Sequence, residues 1–221
     1  MFNGLTGPLI MTKEDMNTTR DLARPALVLV DLQNDNVHPE GAFASSGAPA
    51  HASAQGLVAN VQALLGWARE LDVPVIHNHI VTFPGRDFGG DNAPIFQMIG
   101  ADALRLGSWG AEPLEGLEPL EGEPVLRRNR MSAFNGSGLD VLLRNLDVST
   151  VVVAGVWTNM AVEHTVRDAA DHGYRAVLVT DATSSINEEW QHAATNFALT
   201  NIAQLVTTAD VVASGAVGTD R

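Results

Sequence analysis

Three short stretches carry groups suited to chemistry. The first, "LVDLQND", ends an apolar run (26–31) on Asp31. A carboxylate there lies between a dry sheet and an open crevice, where burial raises its pKa and fits it for general acid or base work. A plainer role is also open, in which Asp31 caps the turn or pairs with an arginine. The second, "PVLRRNRMSAF", offers Arg127 and Arg128 at the end of a short run. An inward guanidinium at Arg128 would grip carboxylate or carbonyl oxygens in a fork, but it does not shuttle protons near neutral pH. Either arginine could equally form a surface ion pair. The third, "GVWTNMAVEHT" (155–165), leaves a strand at Gly155 and turns through Trp157, Thr158 and Asn159 into a helix. Backbone N–H groups gather at such a helix start and can receive an oxyanion. The Trp157 ring is either a pocket wall beside those donors or core packing.

Two further groups are weaker. His77 and His79 alternate in "VIHNHI", so both imidazoles share one strand face and could converge on a metal. Buried or hydrogen-bonded histidines explain the pattern better, and no metal is expected. Glu163 and His164 lie near the end of the third stretch, with one of them expected to face the site and the other a subunit contact.

The elements that must hold these residues read as an alternation. Runs rich in Val, Leu and Ile at 26–31, 74–80, 150–155 and 175–180 are strands buried on both faces. Weaker strands fall at 124–128 and 202–208. In "GLVANVQALLGWARELD" residues Leu57, Val61, Leu64, Leu65, Ala68 and Leu71 form one apolar stripe, and Leu139, Leu142, Leu143 and Leu146 repeat it. Helices are also expected at about 159–173 and 187–200. Strands alternating with helices imply right-handed crossovers and a three-layer α/β sandwich with a mainly parallel six-stranded sheet. Ligands bind such sheets outside the carboxyl ends of the strands, where Asp31, Arg128 and the 155–161 turn all fall. The Gly- and Pro-rich segment from about 81 to 123 is long for a connection and reads as a lid, binding loop or oligomer contact.

Composition narrows the function. The 221 residues contain no cysteine, which removes disulfides and thiol catalysis. A formal net charge of −13 argues against nucleic acid as a partner. Residues 1–24 lack the uninterrupted apolar stretch of a signal peptide and read as an N-terminal arm, followed by a single domain over 25–221. No window is long and apolar enough for a membrane span, so a cytoplasmic protein is expected.

In combination, "LVLVDLQND", "RRNRMSAF", "VVVAGVWTNMAVEHTVRDAADHGY" and "VTDATSS…WQHAATNFAL" resemble the isochorismatase-like hydrolase superfamily, in the family's order across most of 26–212. The resemblance implies a Rossmann-like sandwich, a non-proline cis peptide between Val156 and Trp157, and, in its amidohydrolase branch, an Asp–Lys–Cys triad. Carried over by position, the aspartate is Asp31, the lysine position holds Arg128 and the cysteine position holds Ala161. The oxyanion donors correspond to the N–H groups of Trp157 and Ala161. A methyl group can neither attack nor carry a proton, so covalent catalysis at 161 is lost, while Arg128 keeps the positive charge without an adaptable proton. The expected activity is hydrolysis of a small amide, ureide or related carbonyl compound with Asp31 as acid or base and no cofactor. A thiol-free vinyl-ether hydrolysis and a non-catalytic ligand-binding or assembly role are the alternatives. A small molecule is the expected partner, in a homo-oligomer.

Overall fold

The structure is a computed structural model and describes residues 22–83, 92–99 and 102–214. Six strands form one sheet: β1 (Pro25–Val30), β2 (Val75–Ile80), β3 (Val125–Arg128), β4 (Thr150–Val156), β5 (Arg175–Ser184) and β6 (Gln204–Val206). Their order is β3-β2-β1-β4-β5-β6, and every pairing is parallel. The described helices are α1 (Asn34–Val37), α2 (Ala48–Ala54), α3 (Leu57–Glu70), α4 (Pro94–Ile99), α5 (Leu139–Asn145), α6 (Glu163–Asp171), α7 (Glu188–Ala193) and α8 (Thr208–Ala213).

β1, β2 and β4 are buried along their whole length, as the unbroken apolar runs of β1 and β4 require; β2 also buries His77, Asn78 and His79. Period-two alternation then divides the core. Leu27 and Leu29 pack with Leu57, Val61, Leu64 and Leu65 of α3 on one face, while Val28 and Val30 pack with Leu139 and Leu143 of α5 and Val166 of α6 on the other. Burying each such side chain contributes roughly 1.5–3 kcal/mol against the ordering entropy. The result is the expected three-layer sandwich. The strand order reverses between β1 and β4, which sets the crevice at their carboxyl ends.

Several boundaries differ from the pattern in the sequence. β5 runs to Ser184 because the chain bulges: Val153 pairs with Leu178 but Gly155 pairs with Thr183, two steps on β4 against five on β5. Gln191 and Asn60 donate to the Thr180 and Asp181 carbonyls of that bulge. β6 is shorter than 202–208 because Thr207 caps α8 through a reciprocal capping box with Asp210. The helix expected at 159–173 begins as a π turn over Thr158–Val162, and the one at 187–200 ends as a π turn over Ala194–Ala198. Within 81–123 lie α4 and a 3-10 turn at Trp109–Ala111. Of the N-terminal arm, residues 22–24 are described, and Leu22 is buried in the core; the rest of the arm lies outside the described residues.

Candidate active site

Asp31 follows β1 directly, with its backbone in the left-handed region at φ 55°. Aspartate is among the few residues that adopt this conformation at modest cost. Its Oδ1 accepts from one Arg128 guanidinium nitrogen at 2.7 Å and from the Ile80 N–H at 2.8 Å, and its Oδ2 accepts from the second guanidinium nitrogen at 2.9 Å. Arg128 also donates to Asn78 Oδ1 at 2.6 Å and to the Met131 carbonyl at 2.7 Å. It is the largest fully buried side chain described, 1% exposed, and its Nε has no partner. Burial pushes the Asp31 carboxyl up, while the charge and hydrogen bond of Arg128 and the Ile80 N–H pull it down; burial prevails. Of the two sequence readings of the arginines, alternation selects Arg128 for the site and leaves Arg127 exposed on the opposite face.

Beside this pair the chain leaves β4 through a cis peptide between Val156 and Trp157. The Trp157 carbonyl accepts from the N–H groups of Met160 and Val162, one residue either side of Ala161. The Trp157 indole donates to the Asn36 carbonyl at 3.2 Å, and Asn36 donates to the Asp31 carbonyl at 3.0 Å, so one asparagine ties the two turns together. Phe43 meets the indole edge-on, with ring centroids 5.7 Å apart.

A narrow cavity of about 30 Å³ opens here. By the rule that a water needs roughly 10–15 Å³, it has room for about two or three waters. Asp31, Trp157 and Ala161 line it, Ile80 and Met131 form one wall, and Ile95, Met98 and Ile99 of α4 another. The structure thus brings Asp31, Arg128, Trp157 and Ala161 to one place. The side chains of Thr158 and Asn159 are not on the wall. The Thr158 hydroxyl is buried without a partner, and Asn159 Oδ1 accepts from the Ser185 hydroxyl. Glu163 and His164 also lie off the cavity: Glu163 pairs with Arg167, and His164 Nδ1 meets the Met160 carbonyl. His77 and His79 do share a face, yet among the described residues no three His, Asp or Glu side chains gather to hold a metal.

The sequence reading passed over Asn78, Asn36 and the apolar wall from α4. The alternation that sets His77 and His79 on one face equally sets Asn78 on the other, beside Ile80, so Asn78 had a readable signal. Asn36 and α4 had none, because their contacts are set by long-range packing.

The sequence matches the Isochorismatase domain over residues 25–210. It is 30% identical to N-carbamoylsarcosine amidase of an Arthrobacter species over 158 residues, 70% of this chain and 57% of that protein, so it spans little more than half the relative's length. It is 28% identical to ureidoacrylate amidohydrolase RutB of Methylobacterium radiotolerans, covering 90% of this chain and 81% of that protein. Among solved structures, an isochorismatase family protein from Desulfovibrio vulgaris matches with a TM-score of 0.72 at 33% identity, over 86% of this chain and 99% of that one. N-carbamoylsarcosine amidase from Thermoplasma acidophilum matches at 0.66 and 26%, over 83% and 96%. The domain match spans the whole sheet, from β1 to α8, and the chain belongs to the isochorismatase family.

Proposed function

We propose that this chain is a hydrolase of a small, mostly apolar amide, ureide or related carbonyl compound that works without a thiol, with Asp31 as its acid–base group. The observation that carries this reading is that Asp31 is the one titratable side chain on the described cavity wall. The amidohydrolase names of two relatives support the substrate class. Positions 128 and 161 correspond in this reading to the family's lysine and cysteine, so the oxygen that attacks comes from water.

In the proposed step, Asp31 takes a proton from water as its oxygen bonds to the substrate carbonyl carbon. The N–H groups of Trp157 and Ala161 receive the carbonyl oxygen as it gains charge. The intermediate collapses with cleavage of the C–N bond, and the departing amine takes the proton back from Asp31. Water and amide thereby become acid and amine. Arg128 moves no proton; it fixes the carboxylate and balances its charge. Hydrolysis of a vinyl ether fits less well, since the two relatives named for an activity are amidohydrolases. A binding role without turnover is favoured by one observation, the engagement of both Asp31 oxygens by Arg128.

The test is turnover over a panel of small amides, ureides, carbamoyl compounds and isochorismate by the native chain and its Asp31→Asn variant. Hydrolysis of a C–N bond that falls by about 10²-fold or more in the variant is the expected result. Release of pyruvate from isochorismate would favour the vinyl-ether reaction. Ligand binding without turnover, unchanged in Asp31→Asn, would make the chain a binding protein.

A further inference from the structure

A second cavity, of about 240 Å³, lies at the β3 edge of the sheet. His79, Arg127, Glu112 and Glu118 supply its polar walls, with Val125 and Leu106 among the apolar ones. Its relation to the candidate active site is set by the strand ladder. His79 pairs with Arg127 and Ile80 pairs with Arg128, so two consecutive rungs serve opposite faces of the sheet. One rung lines the second cavity, and the next carries Ile80 and Arg128 of the first site.

His79 is 5% exposed, meets His77 edge-on at 6.2 Å, and has no hydrogen bond to a described residue. Neither ring nitrogen has a partner among the described residues and neither is sealed from solvent, so the imidazole opens onto the cavity and can bond to whatever occupies it. Burial, followed by the charges of His77, Arg127 and Arg128, drives it down to about 3, and a neutral ring offers one donor and one acceptor. Arg127 is exposed and forms no ion pair with a described residue.

We propose that this cavity is a second small-molecule site, for a compact zwitterion of the α-amino-acid class with an apolar side chain. Arg127 is the cation on the wall and offers a fork for a carboxylate. Glu112 and Glu118 offer two anionic partners for an ammonium, and Val125 and Leu106 an apolar surface for the side chain. A dicarboxylate would meet two glutamates, and a simple amine would meet Arg127 uncompensated. A zwitterion satisfies both signs. A metal does not fit, since His79, Glu112 and Glu118 form no ligating group.

The test is calorimetric titration of the full chain with L-leucine, 4-methylpentanoate, which lacks the ammonium, and 3-methylbutylamine, which lacks the carboxylate. L-leucine should bind, and each truncated probe should bind about tenfold more weakly or worse, as should L-leucine to Arg127→Gln. Arg127 is exposed, so this variant should keep the native circular dichroism, which is checked alongside. Ala161→Leu, which fills the first cavity, should leave L-leucine binding unchanged. The proposal is overturned if L-leucine, L-valine and L-methionine all give no binding, or if 4-methylpentanoate or 3-methylbutylamine binds as tightly as L-leucine. It is equally overturned if Arg127→Gln changes nothing, or if Ala161→Leu abolishes binding.

Discussion

Arg128 grips Asp31 through two parallel hydrogen bonds of 2.7 and 2.9 Å, with both side chains withdrawn from water. Such a pair contributes little net stability, because desolvation offsets the attraction, but breaking it strands a buried charge. Arg128→Met should therefore lose about 3–5 kcal/mol in urea unfolding. The double variant Asp31→Asn/Arg128→Met should lose clearly less than the sum of the single losses. Additive losses would show that the two side chains are not coupled in the folded protein.

Ala161 puts a methyl group on the cavity wall, where there is little spare space. Ala161→Leu should fill that space at a cost of about 1–3 kcal/mol from overpacking. It should also abolish turnover of whichever carbonyl compound the native chain hydrolyses. Full activity in a folded Ala161→Leu protein would place the chemistry elsewhere.

Acid should weaken the fold in two stages. His79 is held down to about 3 by burial first, so the folded chain refuses a proton that the unfolded chain accepts near 6.5. Its contribution is complete above pH 6.5 and is lost as pH falls from 6.5 towards 3. Burial works against the charge of Glu123, but hydrogen bonds from Arg69, the Leu120 N–H and His77 prevail and hold it down to about 2. That contribution is present above 4.5 and is lost between 4.5 and 2. Urea midpoints measured against pH should decline from about 6.5 and steepen below 4.5. His79→Gln should flatten the upper limb and Glu123→Gln the lower. Unchanged slopes in both variants would contradict these assignments.

Gly155 has φ 128°, and a Cβ there would collide with the backbone of Val30 on the neighbouring strand. Gly155→Ala must either strain this conformation, at about 1–3 kcal/mol, or separate β1 from β4. A clear fall in melting temperature and in soluble yield is the expected outcome. A native melting temperature would mean that the strand ends part easily.

The strands of the sheet centre are legible because β1 and β4 are apolar on both faces and announce themselves without alternation, while β2 is marked by the Val and Ile residues that flank its His-Asn-His core. The same logic set Asp31 and the Trp157 turn at strand ends. It could not choose Asp31's partner, since the pair joins residues 97 apart in sequence. Local pattern left Arg127 and Arg128 open as ion-pair formers, because β3 is a four-residue edge strand too short to fix its own phase, and it was the family resemblance that named Arg128. Asn36 was hidden for another reason: its side-chain amide donates to the Asp31 carbonyl and its own carbonyl accepts from the Trp157 indole, and neither partner is marked by local sequence pattern. The outer wall from α4 sits in a Gly- and Pro-rich stretch without periodicity, and its three wall residues acquire a role only once the sheet has formed.

The buried ion pair also decides what the cavity shows to an approaching molecule. One charge of each sign cancels at the sheet end, so a chain of net charge −13 presents a balanced floor beneath apolar walls. An uncharged compound is then neither drawn in nor held off by the acidic exterior. Its rate of encounter should stay flat as ionic strength rises, leaving discrimination to shape and desolvation.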